Sequence, residues 1–218
     1  PLTTNGSYIE LNESNNKASK TINVGSWHFF YGDVLTSSNL VLANNDSTKL
    51  INWSTENFNQ GNIYVADYDS YVSWTSLQAI GKNKINSNSN SDFSEIDLAL
   101  NTSSFEDSVY NVYTNSGVPK YSQDIYSFKS LIQNVPIINS TNNSNFVTGI
   151  LWDFSDDTNG TEGEFDLADK EDLVFVSPIN KHEQGTYGIY DYELRVPARL
   201  REYNAQDSKS AVFYVEIF

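Results

Sequence analysis

The chain has 218 residues, no cysteine, no methionine and a formal net charge of −15. That length holds one large all-β domain or two small ones, and the charge argues against nucleic acid and anionic membranes as partners, because both would repel it. Disulfides and thiolate metal sites are excluded with the cysteines, and no apolar run approaches the roughly 18 residues that a membrane span needs.

In chain order, residues 1–20 form a polar N-terminal extension with one apolar patch at Tyr8, Ile9 and Leu11. As a strand it would put Ile9 and Leu11 on one face with Glu10 opposite, the pattern of a donor strand that fills two successive pockets of a neighbour. Pro1 is read as the first residue of a processed chain, left by signal-peptide cleavage. Residues 21–218 read as one domain, a single antiparallel β-sandwich of about nine strands. Strands are predicted at 27–34, 39–43, 49–54, 62–67, 126–138, 147–154, 173–176, 187–197 and 210–218. The clearest is the eighth, where Tyr190, Tyr192, Leu194 and Val196 alternate with Asp191, Glu193 and Arg195, the period of a half-buried strand. One stretch departs from this pattern. Asp92 with Glu95, and Ser103 with Glu106, have capping-box spacing ahead of apolar residues at helical intervals, which predicts one or two short helices over 92–113 at one end of the sandwich.

Catalytic motifs are lacking. His28 and His182 stand far apart in sequence, and neither a nucleophile elbow nor a zinc-protease helix motif is present, so the chain is expected not to be an enzyme. Calcium is the only cofactor that the sequence offers. In the acidic segment 155–166, Asp157 and Asn159 fall at ligand positions three and five of a calcium loop, Gly160 at its turn and Asp166 at position twelve. Ser155 replaces the first aspartate, and no helices flank the segment. An Asn-Gly hairpin turn fits it equally, and that reading is preferred. Tyr64, Tyr68, Tyr71 and Trp74, joined by Trp27, Trp53 and Trp152, have the makings of a sugar-stacking platform, although aromatics at alternating strand positions are more often core.

Eight Asn-x-Ser/Thr sequons, at Asn5, Asn12, Asn45, Asn52, Asn101, Asn139, Asn142 and Asn159, are all in the first 161 residues. In an exported chain these are N-glycan acceptors, which leaves a decorated part and a bare C-terminal part suited to core or subunit contacts. Of the eight, Asn45, Asn101, Asn139 and Asn142 are expected in turns or loops. The three arginines, Arg195, Arg199 and Arg201, sit within seven positions, and every other cationic residue is lysine. Arginine favours fixed carboxylate contacts, so the cluster either docks on an acidic neighbour or pairs internally with Asp191, Glu193 or Glu202.

The opening strand "WHFFYGDV" with "LINWS" and "GNIYVAD", the segment "EDLVFVSPIN" and the closing pair "YGIYDYELRVPA" and "AVFYVEIF" resemble the secreted β-rich surface proteins of archaea, among them thread-like and pilus-like filament subunits. The resemblance implies an extracellular, N-glycosylated, non-enzymatic assembly subunit at the cell surface, its copies joined by donor-strand complementation. The chain lacks the long apolar N-terminal helix of archaellins and type IV pilins. The expectation is therefore a homopolymeric filament or surface-coat subunit joined by non-covalent head-to-tail contacts. A monomeric carbohydrate-binding adhesin is the alternative, and an extracellular hydrolase comes third.

Overall fold

The computed structural model describes residues 7–9, 19–21, 27–34, 39–43, 47–52, 60–67, 71–82, 88–89, 91–141, 143–158, 163–166, 171–200 and 211–218. The class is all-β. Seventeen strands in five antiparallel sheets and two helices are present among these residues, where the sequence suggested about nine strands in one sandwich. The largest sheet contains β6 (Gly61–Asp67), β7 (Leu77–Ala79), β10 (Ser122–Ser127), β11 (Ser130–Asn139), β12 (Val147–Asp153), β13 (Leu173–Pro178) and β17 (Ala211–Ile217). Its order is β10-β11-β12-β13-β6-β17, and β7 also pairs with β12. A second sheet runs β16-β3-β4-β5, built from β16 (Tyr192–Pro197), β3 (Trp27–Gly32), β4 (Asn39–Leu42) and β5 (Thr48–Asn52).

Side-chain alternation explains why the middle of the large sheet is apolar throughout. Ile63 and Val65 of β6, Ile150 and Trp152 of β12, and Leu173 and Phe175 of β13 share a core with Phe30, Leu40, Leu194 and Val196 of the second sheet. Their neighbours Tyr64, Ala66, Leu151, Val174 and Val176 turn the opposite way, into a second core with Ile125, Ile132 and Val135 of the β10–β11 hairpin. Strands buried on both faces lose the polar–apolar alternation that marks a solvated sheet. The hairpin bends over this second face through a bulge. Between Gln123↔Val135 and Ile125↔Ile132 the register shifts, and Asn134 there has φ 55° with its N–H donated to Asp124 Oδ1 at 2.9 Å. Gly149 gives the hairpin room, since a Cβ at that position would lie 2.9 Å from Val135 and 3.0 Å from Ile125.

The sequence reading merged β10 and β11 into one strand, 126–138. The turn between them is Phe128–Lys129, with φ 45° and 68°, and it contains no glycine or asparagine to announce it. Phe128 is held there by stacking on Trp74, ring centroids 4.9 Å apart.

The helices are α1 (Asp92–Ala99) and α2 (Val109–Tyr113), and Phe93, Ile96, Leu100, Val109 and Tyr113 bury into the main core. Their caps differ from the predicted ones. Ser91 is the N-cap residue of α1, and Asp92 instead accepts from Gly81 N–H at 2.8 Å and from the Ser89 hydroxyl. The second helix starts after Ser108, whose hydroxyl accepts from Asn111 N–H, five residues beyond the expected Ser103. Three small hairpins complete the described chain. They are β1 (Ser7–Ile9) with β2 (Ser19–Thr21), β8 (Thr114–Asn115) with β9 (Val118–Pro119), and β14 (Glu183–Gln184) with β15 (Ile189–Tyr190).

Candidate functional site

The strongest candidate is the outer edge of the large sheet. Gln60 and Phe218 exchange both backbone hydrogen bonds, at 3.0 and 2.9 Å, and from that pair the register runs unbroken from Ile217↔Gly61 to Ala211↔Asp67. In an antiparallel ladder alternate residues face the partner, so the N–H and C=O groups of Ala211, Phe213, Val215 and Ile217 point away from β6. Among the described residues no strand pairs with this side of β17. Val215, Ile217 and Phe218 are 38%, 40% and 43% exposed, and Tyr126 meets Phe218 edge-on at 5.6 Å.

Proteins normally blunt such edges with lysine, proline, bulges or outward charges. Two other sheet edges here have such devices: β10 has its bulge and Asp124, and β5 has Lys49 and a register shift. The single charge of β17 is Glu216, and it is engaged within the subunit. Its Oε1 accepts Phe128 N–H at 2.7 Å, and its Oε2 accepts the Tyr64 hydroxyl at 2.5 Å and Asn62 Nδ2 at 3.0 Å. Burial, reinforced by the hydrogen bond to Glu216, pushes the Tyr64 phenol above its ordinary value, so it remains a proton donor to that carboxylate. Glu216 thereby fastens the tip of the β10–β11 hairpin to β17 and is withdrawn from defending the edge.

Several sequence-predicted residues fall elsewhere. Tyr8 and Ile9 lie in β1, where Tyr8 pairs with Lys20, while Leu11 lies outside the described residues. Within the chain Arg195 does not pair with Asp191 or Glu193. Its guanidinium lies 4.7 Å from the Trp27 ring centroid and 5.5 Å from that of Phe29, and its Nε has no hydrogen-bond partner. Arg199 lies 5.9 Å over Phe105, and Arg201 is outside the described residues. Asp191 instead accepts from Val34 N–H and His182 N–H. Glu193 is held by Thr186 and Tyr190.

Of the sequons, Asn101 is exposed and left-handed at φ 53° immediately past α1. Asn139 is exposed too but pairs with Val147 at the end of β11 rather than lying in a loop, and Asn52 ends β5 opposite Asn39. Asn5, Asn12, Asn45, Asn142 and Asn159 lie outside the described residues. In the acidic segment, Asp157 Oδ2 accepts Gly163 N–H at 2.7 Å and Asp166 donates its N–H to Glu171, while Asn159 and Gly160 lie outside the described residues. Among the described residues no group of three or more acidic or histidine side chains is placed to hold a metal ion. The proposed sugar platform is divided: Tyr64 and Trp152 are fully buried and Trp27 nearly so, Trp74 is half-buried, and Tyr71 is 90% exposed.

One buried carboxyl had no signal in the sequence. Burial pushes Asp92 up to about 7, with Glu164 adding repulsion, against the hydrogen bonds from Ser89 and Gly81. An aspartate at a helix start ordinarily reads as a favourable charge on the helix dipole. Only the tertiary fold seals it from water.

Fold and site together define an all-β protein in which, among the described residues, the outer edge of β17 is unpaired. No family model, no curated protein and no solved structure matches the chain.

Proposed function

We propose that this protein is a structural subunit that polymerises by strand addition, with the N-terminal segment of one copy laid along β17 of the next. The observation that carries the reading is the β17 edge: seven residues, unbroken register, outward backbone groups at four positions, and apolar side chains left partly in water. Main-chain bonds supply affinity in such a junction and alternate side chains supply register. Ile9 and Leu11 are the apolar alternate pair of the donor. Residues 7–9 already have extended backbone, with one edge paired to β2.

Copies that each carry −15 repel, and β17 adds to the seam a single carboxylate, Glu216, whose oxygens are taken up by donors of its own subunit. A head-to-tail contact of this kind is heterologous and builds an open filament when its rotation does not close. Export and glycosylation of the sequons belong to the same reading, placing the polymer outside the cell, with β17 and the bare C-terminal part free of sequons and Asn5 and Asn12 at the borders of the donor strand.

The test uses the full-length chain in two variants, Val215→Lys in the acceptor edge and Ile9→Lys with Leu11→Lys in the donor. Each is expected to remain folded and to form no fibres by electron microscopy. Fibres of normal length and number from both variants would overturn the reading.

A further inference from the structure

A cleft of about 530 Å³ opens between α1, the 101–108 segment, α2 and the β8–β9 turn, within the size range of small-ligand sites. Its lining includes Leu98, Ser103, Tyr110, Asn111, Ser116 and the carboxylate of Asp97. The charge of Asp97 is already spent. Oδ1 accepts the Thr102 hydroxyl and Val109 N–H, each at 2.8 Å, and Oδ2 accepts Tyr110 N–H at 3.0 Å. With no arginine, lysine or histidine in the lining, the cleft offers neither a cation for an anionic ligand nor a free carboxylate for a cationic one.

What remains available is neutral and matched to hydroxyl groups. The hydroxyls of Ser103, Ser116 and Tyr110 make no hydrogen bond to the described residues, and Asn111 uses Nδ2 on Phe105 O at 3.3 Å while its Oδ1 stays open. Each hydroxyl can donate and accept. Beside them Leu98, 52% exposed, and the half-buried Tyr110 ring give an apolar wall. A ligand with many hydroxyls on its rim and an apolar C–H face satisfies both surfaces at once. We propose that this cleft binds a neutral saccharide. It is separate from the β17 edge and does not depend on assembly.

Two sources share this chemistry, a free saccharide and the chain's own sugar. Asn101 is exposed beside the cleft and its sequon ends on Ser103, a lining residue. The full-length chain made in bacteria, hence without N-glycan, is titrated with maltotriose, mannotriose and chitotriose, and amide chemical shifts are followed by NMR. At least one sugar is expected to move the signals of Leu98, Ser103, Asn111 and Gly117. The double variant Tyr110→Phe/Ser116→Ala, which removes two hydroxyls and little volume, should weaken that binding at least tenfold. The same chain from a glycosylating host tells the sources apart: if the Asn101 sugar occupies the cleft, the free saccharide no longer binds, and Asn101→Gln restores binding. The absence of localised shifts at millimolar sugar, or equal affinity in the double variant, would overturn the proposal.

Discussion

Replacing Asp92 by asparagine isolates the electrostatic cost of one buried carboxyl. In the folded chain Asp92 is fully enclosed and pushed from 3.8 to about 7. Folding therefore favours its protonated form. Below pH about 4 the group is neutral in both folded and unfolded chains and exacts no penalty. As the pH rises towards 7 the unfolded chain gains by ionising while the folded chain does not, and stability falls. A shift of about three pKa units at ~1.4 kcal/mol each amounts to about 4 kcal/mol, lost between pH 4 and pH 7. Asparagine keeps a carbonyl oxygen for the Gly81 N–H and has no proton to lose. At pH 4 Asp92→Asn is expected to be about 1 kcal/mol less stable than the parent, through its poorer bond to Ser89. At pH 7–8 it should be the more stable by a few kcal/mol. Urea titrations followed by tryptophan fluorescence at pH 4, 5, 6, 7 and 8 measure both curves. Glu193 and Asp33, also raised by burial, are common to both proteins and cancel in the difference. Parallel curves would show that the Asp92 carboxyl is ionised in the fold and that the reasoning from its burial is wrong.

Two further substitutions probe the hairpin that covers the second core. Gly149→Val would drive methyl groups into Val135, Ile125 and Val176, all about 3 Å from the position of a Cβ; a loss of about 1–3 kcal/mol in thermal unfolding is expected, and an unchanged midpoint would mean that the hairpin does not pack there. Lys129→Gly relieves a left-handed residue at φ 68° and should raise stability by about 0.5–1 kcal/mol in the same assay, because a β-carbon in that conformation costs about 1–2 kcal/mol and the looser unfolded chain returns part of the gain. A lowered midpoint would indicate that the lysine side chain itself holds the turn.

The strands that sequence periodicity located best are those with a clear polar–apolar alternation or a uniform apolar run, such as β16 from Tyr192 and β6 from Gly61, although the polar face of β16 proves to be buried as well, with Glu193 fully enclosed. It failed where local chemistry was silent. Phe128 and Lys129 turn the chain because stacking on Trp74 and the Glu216 carboxylate stabilise them, and neither partner is near in sequence. Ser103 and Ser108 both look like helix starts, and Asp97, by accepting from Val109 and Tyr110 N–H groups, supports the second. Arg195 resembles an interface residue by its type and neighbours, and only the register Arg195↔Phe29 brings it onto aromatic rings. The saccharide cleft has no motif, since its hydroxyls come from separate segments and become a surface only when α1 and α2 meet.

The placement of β6 also governs when the molecule can fold. Residues 61–67 pair with β13 at 173–178 and with β17 at 211–217, so both partners of this strand are synthesised more than a hundred residues after it. At ~5–20 residues per second, β6 waits on the order of ten seconds on the ribosome with Ile63, Tyr64 and Val65 unpaired. Β3 waits longer for β16. Neither sheet can close early, and loops of this length make the closing step slow even for a released chain. Over that interval the nascent protein has local pairs such as β3–β4–β5 and β10–β11 to form, and both pairing edges of β6 stay open.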